Sequence, residues 1–432
     1  MKIKASERNA ILQSLRNGVV PRTGLQHILV GRKQELEQGV KDIATIMQGG
    51  STMRFVIGDY GAGKTFFLNM VKLFALQKNL LVMHADLTND RRIQGSDGQA
   101  VALYSELTKN LSTRTRPDGN ALKSVIERFI ADAVAEAEKS ERPTRAVIRE
   151  KLSELTELVA GFDFADVLNA YYEAYEAQDE DRQQAALKWL RGEFSGKLEA
   201  RKALGVRNMV DDDSFYDYLK LLARFSVLAG YKGLLICLDE LASIHSLSNS
   251  QARQQNYEQI LRIFNDVNQG SAEHLGFFLG GTCDFLEDDR RGIYSHGALA
   301  TRLAPNQFAR NGLVDFSHPV MRLSQLTKEN LYLLLQKIRD VHAEGATHSK
   351  SVGDDALNVF MKVRFSKVGD DAFLTPRETV REFVQFLSVL EENPEASWQD
   401  LLDVKQPTLA PLPVSTSTQQ EAGLAGLANF SL

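Results

Sequence analysis

The sequence predicts an α/β fold: a parallel sheet covered by helices on both faces, interrupted by a helical insertion and followed by a further helical region. Three observations carry this. Short apolar runs that end in a polar residue, "RFVIGD" and "NLLVMHADL" among them, alternate with helical patterns, as buried parallel strands do. From about Thr113 to Asp213 the strand signal stops, and segments such as "ALKSVIERFIADAVAEAEKS" and "DRQQAALKWLRGEFSGKLEA" repeat apolar residues at helical spacing. The first apolar run also breaks into Gly58-x-x-x-x-Gly63-Lys64-Thr65 before the apolar character resumes, which is the spacing of a loop that cradles phosphates.

In chain order, residues 1–112 form the first part of the sheet region. Their opening, "MKIKASERNAILQSL", is a charged helix start without the apolar core or cleavage site of a signal peptide, so a cytoplasmic location is expected. Residues 113–213 are the insertion, with acidic runs read as solvated helix faces. Strands resume over 214–320 with "GLLICLDEL" (Gly233–Leu241) and "LGFFLGGTCDF" (Leu275–Phe285), and "PVMRLSQL" (Pro319–Leu326) adds another. Over 321–405 the chain is helical again, with Leu331, Leu334, Leu335, Ile338 and Val341 on one face. Residues 406–432, rich in Pro, Ser, Thr and Gly, read as a flexible tail, ending in "ANFSL" as either disorder or a docking peptide.

A chain of 432 residues has room for two or three domains with a well-buried core. Its formal charge of −5 argues against a broad basic surface for nucleic acid. No apolar run has membrane-spanning length. The two cysteines, Cys237 and Cys283, lie in apolar strand-like runs and are expected as buried free thiols.

The glycine-rich loop defines the first candidate site. Backbone N–H groups must converge on a β-phosphate there, and glycines at 58, 61 and 63 permit that geometry. The nucleotide-binding stretch is Gly58, Asp59, Tyr60, Gly61, Ala62, Gly63, Lys64, Thr65 and Phe66, with a helix N-terminus starting near Lys64. Lys64 would bridge the β- and γ-phosphates, and the Thr65 hydroxyl would ligate Mg²⁺. Asp59 has no role in phosphate chemistry and is expected to face protein.

"GLLICLDELASI" separates hydrolysis from transfer. Asp239 stands at a strand end, where a carboxylate holds Mg²⁺ through water. Glu240 follows at once, placed either to deprotonate an attacking water or merely to cap the next helix. A kinase of small molecules takes its nucleophile from the substrate, so the second acid favours hydrolysis.

Two further positions stay open between readings. Thr282, with Asp284, ends the strand beside the expected γ-phosphate and is either a water-positioning hydroxyl or an ordinary strand-end residue. "LTPRETVREFVQFL" starts a helix with Thr375 as cap, Pro376 first and Glu378 third. Arg377 and Arg381 then sit where the helix dipole disfavours cations, which implies an anionic partner, a nucleotide phosphate or a nearby carboxylate.

With these motifs in place, residues 20–390 resemble an AAA+ ATPase. "ILVGRKQELEQGVKDI" resembles the segment before the first strand, which packs near the adenine; "GDYGAGKT" and "LLICLDE" match Walker A and Walker B. By resemblance, Thr282 in "GGT" is sensor 1 and Arg302 in "GALATRLAP" is an arginine finger, with Arg290 and Arg291 of "EDDRRG" as competitors or as surface partners of Asp288 and Asp289. "PVMRLSQLTKENL" resembles the start of a C-terminal helical lid, and "TPRETVREF" its sensor 2 helix, carrying Arg377. "RNAILQSLRNGVVPRTGLQHILVGR", "FVIGDYGAGKTFFL", "HADLTNDRR" and "LTPRETVREFV" together resemble the BREX-system ATP-binding family of BrxD type, related to ATPases of Shango-type antiphage operons.

The resemblance implies a Mg²⁺-dependent ATPase of bacterial phage defence, working with a helicase and a TerB-like or other protein encoded nearby. A trans-acting finger implies a homo-oligomer. The chain departs from initiator-type AAA+ proteins in carrying the insertion and no winged helix after the lid. DNA is therefore expected through a partner. The rival expectation is a nucleotide-dependent switch or scaffold with negligible turnover.

Overall fold

Each apolar run that stops at a polar residue becomes a strand whose last residue points at one end of a sheet. The computed structural model describes residues 3–309, 313–344, 352–367 and 375–402. β1 (Ser51–Ile57), β2 (Leu81–Asp86), β3 (Leu234–Asp239), β4 (Leu275–Gly281) and β5 (Val320–Arg322) form one sheet in the order β2-β3-β4-β1-β5. Every neighbouring pair is parallel, with Asp86 registered against Asp239 and Ile57 against Gly281. The ends of β1, β3 and β4 therefore meet, and the chain order reverses about β1, where open α/β sheets bind ligands.

Alternation along the strands divides the core into two layers. On one face, Val56, Val82, Leu235 and Phe278 pack under α2 (Lys33–Met47) and α3 (Lys64–Gln77). Before these comes α1 (Ala5–Arg16), and after them α4 (Gln99–Lys109). On the other face, Met53, Phe55, Ile236 and Phe277 share a core with α4 and with helices from the insertion. Those are α5 (Leu122–Ser140), α6 (Thr144–Leu152), α7 (Gly161–Glu176), α8 (Glu180–Leu190) and α9 (Lys197–Leu204). The run "DRQQAALKWLRGEFSGKLEA" is thus two helices, divided at Gly192, whose φ of +67° no continuing helix adopts.

α10 (Phe215–Leu228) joins the insertion to the sheet, its Phe225 ring standing 5.3 Å from Phe129 and 5.5 Å from Phe164. The insertion has no separate core. α11 (Ala242–Ser246) and α12 (Ser250–Gln269) follow β3, and α13 (Cys283–Glu287) and α14 (Gly297–Arg302) follow β4. Cys237 is buried as expected, but Cys283 is only partly so, because it opens α13 instead of lying in the strand.

The remaining helices are α15 (Lys328–Ala343), α16 (Asp354–Lys367), α17 (Pro376–Glu392) and α18 (Trp398–Leu402). Leu331, Leu335, Ile338 and Val341 of α15 are buried, and Leu334 is partly so, matching the periodicity. Thr327 caps α15 by accepting from the Asn330 N–H, and Thr375 caps α17 by accepting from Glu378 N–H. These helices build a second core, and α1 belongs to it: Ile11 and Leu12 lie among Leu335, Phe383 and Leu387. Arg8 donates to the His342 carbonyl at 2.7 Å, and Arg16 to Ser388 Oγ at 2.8 Å. So α1, though first in the chain, packs away from the sheet. The tail expected at 406–432, with "ANFSL", lies outside the described residues. Among those described, no helix is long and apolar enough to cross a membrane.

Candidate functional site

The loop Gly58–Gly63 leaves the buried end of β1 and turns into α3. Gly61 and Gly63 have φ of +83° and +90°, values that side chains rarely adopt. Close approach adds a second reason for glycine at 58 and 61. A methyl at Gly58 would lie 2.8 Å from the Leu323 carbonyl oxygen, and one at Gly61 would lie 3.0 Å from Thr375 Cβ. The loop thus touches both the end of β5 and the cap of α17.

Lys64 Nζ donates to the carbonyls of Gly58 at 2.8 Å and Asp59 at 3.0 Å, and the Tyr60 ring lies 5.5 Å away. Burial lowers the Lys64 pKa, opposed by Asp239, Glu240 and Asp59. Asp59 is exposed, and its charge bears on the Cys283 thiol of α13. Burial first, then Asp59, pushes that thiol up to about 11.

The Thr65 hydroxyl donates to Asp239 Oδ2 at 2.6 Å. Oδ1 of Asp239 accepts the Glu240 N–H at 2.9 Å. Gly280 on β4 makes room for this carboxylate, since a methyl there would fall 2.3 Å from Oδ1. Hard oxygen donors of this kind suit Mg²⁺, which takes one or two protein ligands and completes its shell with phosphate and water. No group of three or more His, Cys, Asp or Glu arranged for a metal occurs among the described residues, so a cage made wholly of protein is not on offer.

Glu240 adopts φ +60°, uncommon for a residue with a side chain. Its carboxylate caps nothing: α11 has no side-chain cap, and Glu240 contributes only its carbonyl, to Ser243 N–H. The side chain instead lines a 170 Å³ cavity with Lys64, Thr65 and Arg377. Burial, then Asp239, raises its carboxyl pKa, against Lys64 and Arg377.

That cavity is mostly apolar. Val20, Pro21 and Leu36 form one wall, and Ile28, Ile338 and Val380 of the second core form another. Arg377 is exposed at its rim, with no hydrogen bond or ion pair among the described residues. Arg32, which the sequence reading assigned no role, ties the walls together. It donates to Ala62 O in the loop at 3.0 Å, to Glu35 at 3.3 Å, and to Ser324 O just after β5. "VGR" before a helix was the available signal.

The other candidates lie elsewhere. Thr282 is buried, and its Oγ1 accepts from Phe285 N–H at 3.2 Å, capping α13; it does not line the cavity. Asp284 is exposed on that helix. Arg302 ends α14, exposed, donating to Asn265 Oδ1 at 3.1 Å and Ala298 O at 3.0 Å. Asp288 does not pair with the side chains of Arg290 and Arg291. It accepts their backbone N–H groups and faces His245 at 3.0 Å, while Arg291 Nη2 donates to Leu247 O.

A parallel sheet, a phosphate-type loop and an apolar base-sized cavity define a P-loop nucleotide-binding protein. The chain belongs to the BREX system ATP-binding protein BrxC/D family, whose model matches residues 3–406. It is therefore an ATP-binding protein of a phage-defence family. No curated protein matches the chain.

Proposed function

We propose that the chain is a Mg²⁺-dependent AAA+ ATPase that works within a bacterial antiphage system. The observation that carries this is Glu240: a carboxylate without a hydrogen bond or ion pair among the described residues, on a left-handed backbone, beside Asp239 and facing the cavity that holds Lys64. Backbone cost of this kind, kept at a cavity wall beside Lys64, is what functional sites retain. In this reading the purine lies against Val20, Ile28 and Ile338, and the triphosphate lies on the loop, with Lys64 turning from its carbonyls to the phosphates. Thr65 and Asp239 would hold Mg²⁺, which would supply neutralisation of the phosphate charge. Glu240 takes a proton from water as its oxygen bonds to the γ-phosphorus, and the bond to the ADP oxygen breaks.

Thr282 is the water-positioning residue by resemblance alone: it stands buried outside the cavity, its oxygen accepting from Phe285 N–H and its hydroxyl proton left to donate. Arg377 carries the state of the γ-phosphate to α15–α17, which act as a lid. α1 then moves with the lid, because it shares its core. An arginine from a second copy completes the site. Arg302 is the choice by resemblance, with Arg290 the exposed alternative. The lid motion drives assembly with a partner helicase and a TerB-like or other operon protein, through which DNA is engaged; a BREX or a Shango-type operon would supply them.

Steady-state ATP turnover with and without DNA and partner tests this. Loss of turnover in Glu240→Gln, with ATP binding retained, supports hydrolysis. Wild-type turnover in that variant removes Glu240 from the role, and no turnover under any condition replaces the ATPase with a nucleotide-dependent switch.

A further inference from the structure

A second cavity, of 430 Å³, runs along another face of α3. Thr65, Asn69, Lys72 and Leu76 form its helical stripe, β2 and β3 its floor, and Arg22 its rim. At one end it reaches Thr65 and Asp239, the place where a γ-phosphate would be cleaved. At the other stand Lys72 and His84. The two ends are seven residues apart on α3, or about 10 Å at 1.5 Å per residue, too far for an ATP phosphate on the loop to touch Lys72.

The far end is rich in donors and short of acceptors. Lys72 Nζ has His84 Nδ1 at 3.2 Å and, among the described residues, no carboxylate at ion-pair distance. Burial, then the Lys72 and Arg22 charges, holds His84 down to about 4, so the ring is neutral. With Nδ1 accepting from the ammonium, Nε2 carries the ring proton. Arg22 is exposed and makes no hydrogen bond or ion pair among the described residues. The cavity's carboxylates are otherwise engaged or distant: Glu106 pairs with Arg91 at 3.4 Å, Asp86 and Asp239 sit at the Thr65 end, and only exposed Asp118 acts on Lys72. A half-buried ammonium facing an unpaired guanidinium is a site for an anion.

We propose that Arg22, Lys72 and His84 form a seat for inorganic phosphate, and that phosphate cleaved from ATP leaves through this cleft. Only the source of the phosphate rests on the hydrolytic reading; the seat itself binds phosphate from solution as well. Lys72 and Arg22 supply the charge, and the His84 ring supplies a neutral donor that does not trap the anion.

Calorimetric titration of inorganic phosphate into full-length protein saturated with ADP and Mg²⁺ tests the seat. One saturable event is expected, weakened about tenfold or more by Lys72→Gln and by Arg22→Gln. Arg22 is exposed and has no partner among the described residues, so its variant folds even where Lys72→Gln does not. No phosphate binding in the ADP complex, or equal binding in both variants, overturns the seat. Phosphate-sensor kinetics test the path: slower release in the variants supports it, and unchanged release overturns it. Phosphate binding without any ATP turnover leaves the seat standing and the hydrolytic reading fallen; turnover without phosphate binding does the reverse.

Discussion

Thr65 and Asp239, 174 positions apart in the chain, meet through a 2.6 Å hydrogen bond from hydroxyl to carboxylate. The bond exists because β3 and β1 end at the same edge of the sheet with β4 alone between them. Thr65→Val keeps the shape of the side chain and deletes the oxygen. ATP affinity in the presence of Mg²⁺ is expected to fall at least tenfold, with affinity in EDTA unchanged. Titration of a fluorescent ATP analogue under both conditions checks this, and an equal loss in EDTA would move Thr65 from metal ligand to structural support.

Glu240 offers a test in which stability and activity move in opposite directions. Its φ of +60° costs a residue with a side chain about 1 kcal/mol or more, which glycine does not incur. Glu240→Gly should therefore raise the melting temperature slightly while reducing turnover at least a hundredfold. A variant that is both less stable and still active would contradict both parts.

The same carboxyl also predicts a pH dependence. Burial and Asp239 raise its pKa, so the base form is lost on acidification at a higher pH than for an ordinary glutamate. The acid limb of kcat/KM should lie above the one an ordinary glutamate would set. Replacing Asp239 would also remove the proposed Mg²⁺ ligand, so Arg377→Ala is the better probe. Arg377 favours the charged form of Glu240, and its loss should push the limb further up. Movement of the limb to lower pH in that variant would refute the coupling.

Deep in the sheet, Arg54 on β1 and Asp42 on α2 form a buried bidentate pair, with bonds of 2.9 and 2.7 Å. The guanidinium also donates to Phe316 O at 3.0 Å and to His318 O, fixing the approach to β5. Asp42→Leu leaves a buried cation unpaired and is expected to cost about 3–5 kcal/mol. Arg54→Met with Asp42→Leu should recover much of that. Urea unfolding of the double-mutant cycle measures the coupling; additive losses would mean that the pair itself contributes little.

Much of this was legible because it is local. A run such as "LLICLD" announces both a buried strand and the residue at its end, and glycines at 58, 61 and 63 announce the turn into α3. Thr375 with Glu378 marked the start of α17 in the same way. What was not legible depends on neighbours remote in sequence. Arg54 reads as a polar break in β1 until Asp42 is seen beneath it. Gly280 looks like a weak strand residue until the Asp239 carboxylate is placed against it. The apolar stripe of α1 says that it buries a face, and nothing in the stripe says that α15 and α17 cover it. Lys72 and His84 lie apolar-side in an amphipathic helix and a strand, where each alone is an ordinary packed residue.

The insertion offers a test of domain structure. Residues 113–213 separate cleanly by pattern, but Phe129 and Phe164 pack on Phe225 of α10, and their core runs without a break to Met53 and Phe277 of the sheet. Trp189 adds a hydrogen bond to Asn208 O at 2.9 Å and packs 5.5 Å from the Tyr218 ring, also on α10. Phe225→Ala should therefore cost about 3–5 kcal/mol and loosen both sides of the boundary at once. Hydrogen exchange would show α5, α7 and β3 losing protection by similar amounts, as one cooperative unit does. If α5–α9 opened first while Leu234–Asp239 kept its protection, the insertion would be an independent module, and a protein lacking 113–213 should then fold. With a shared core, that deletion exposes Phe225, Tyr218 and the face of the sheet beneath them, and it is expected to aggregate.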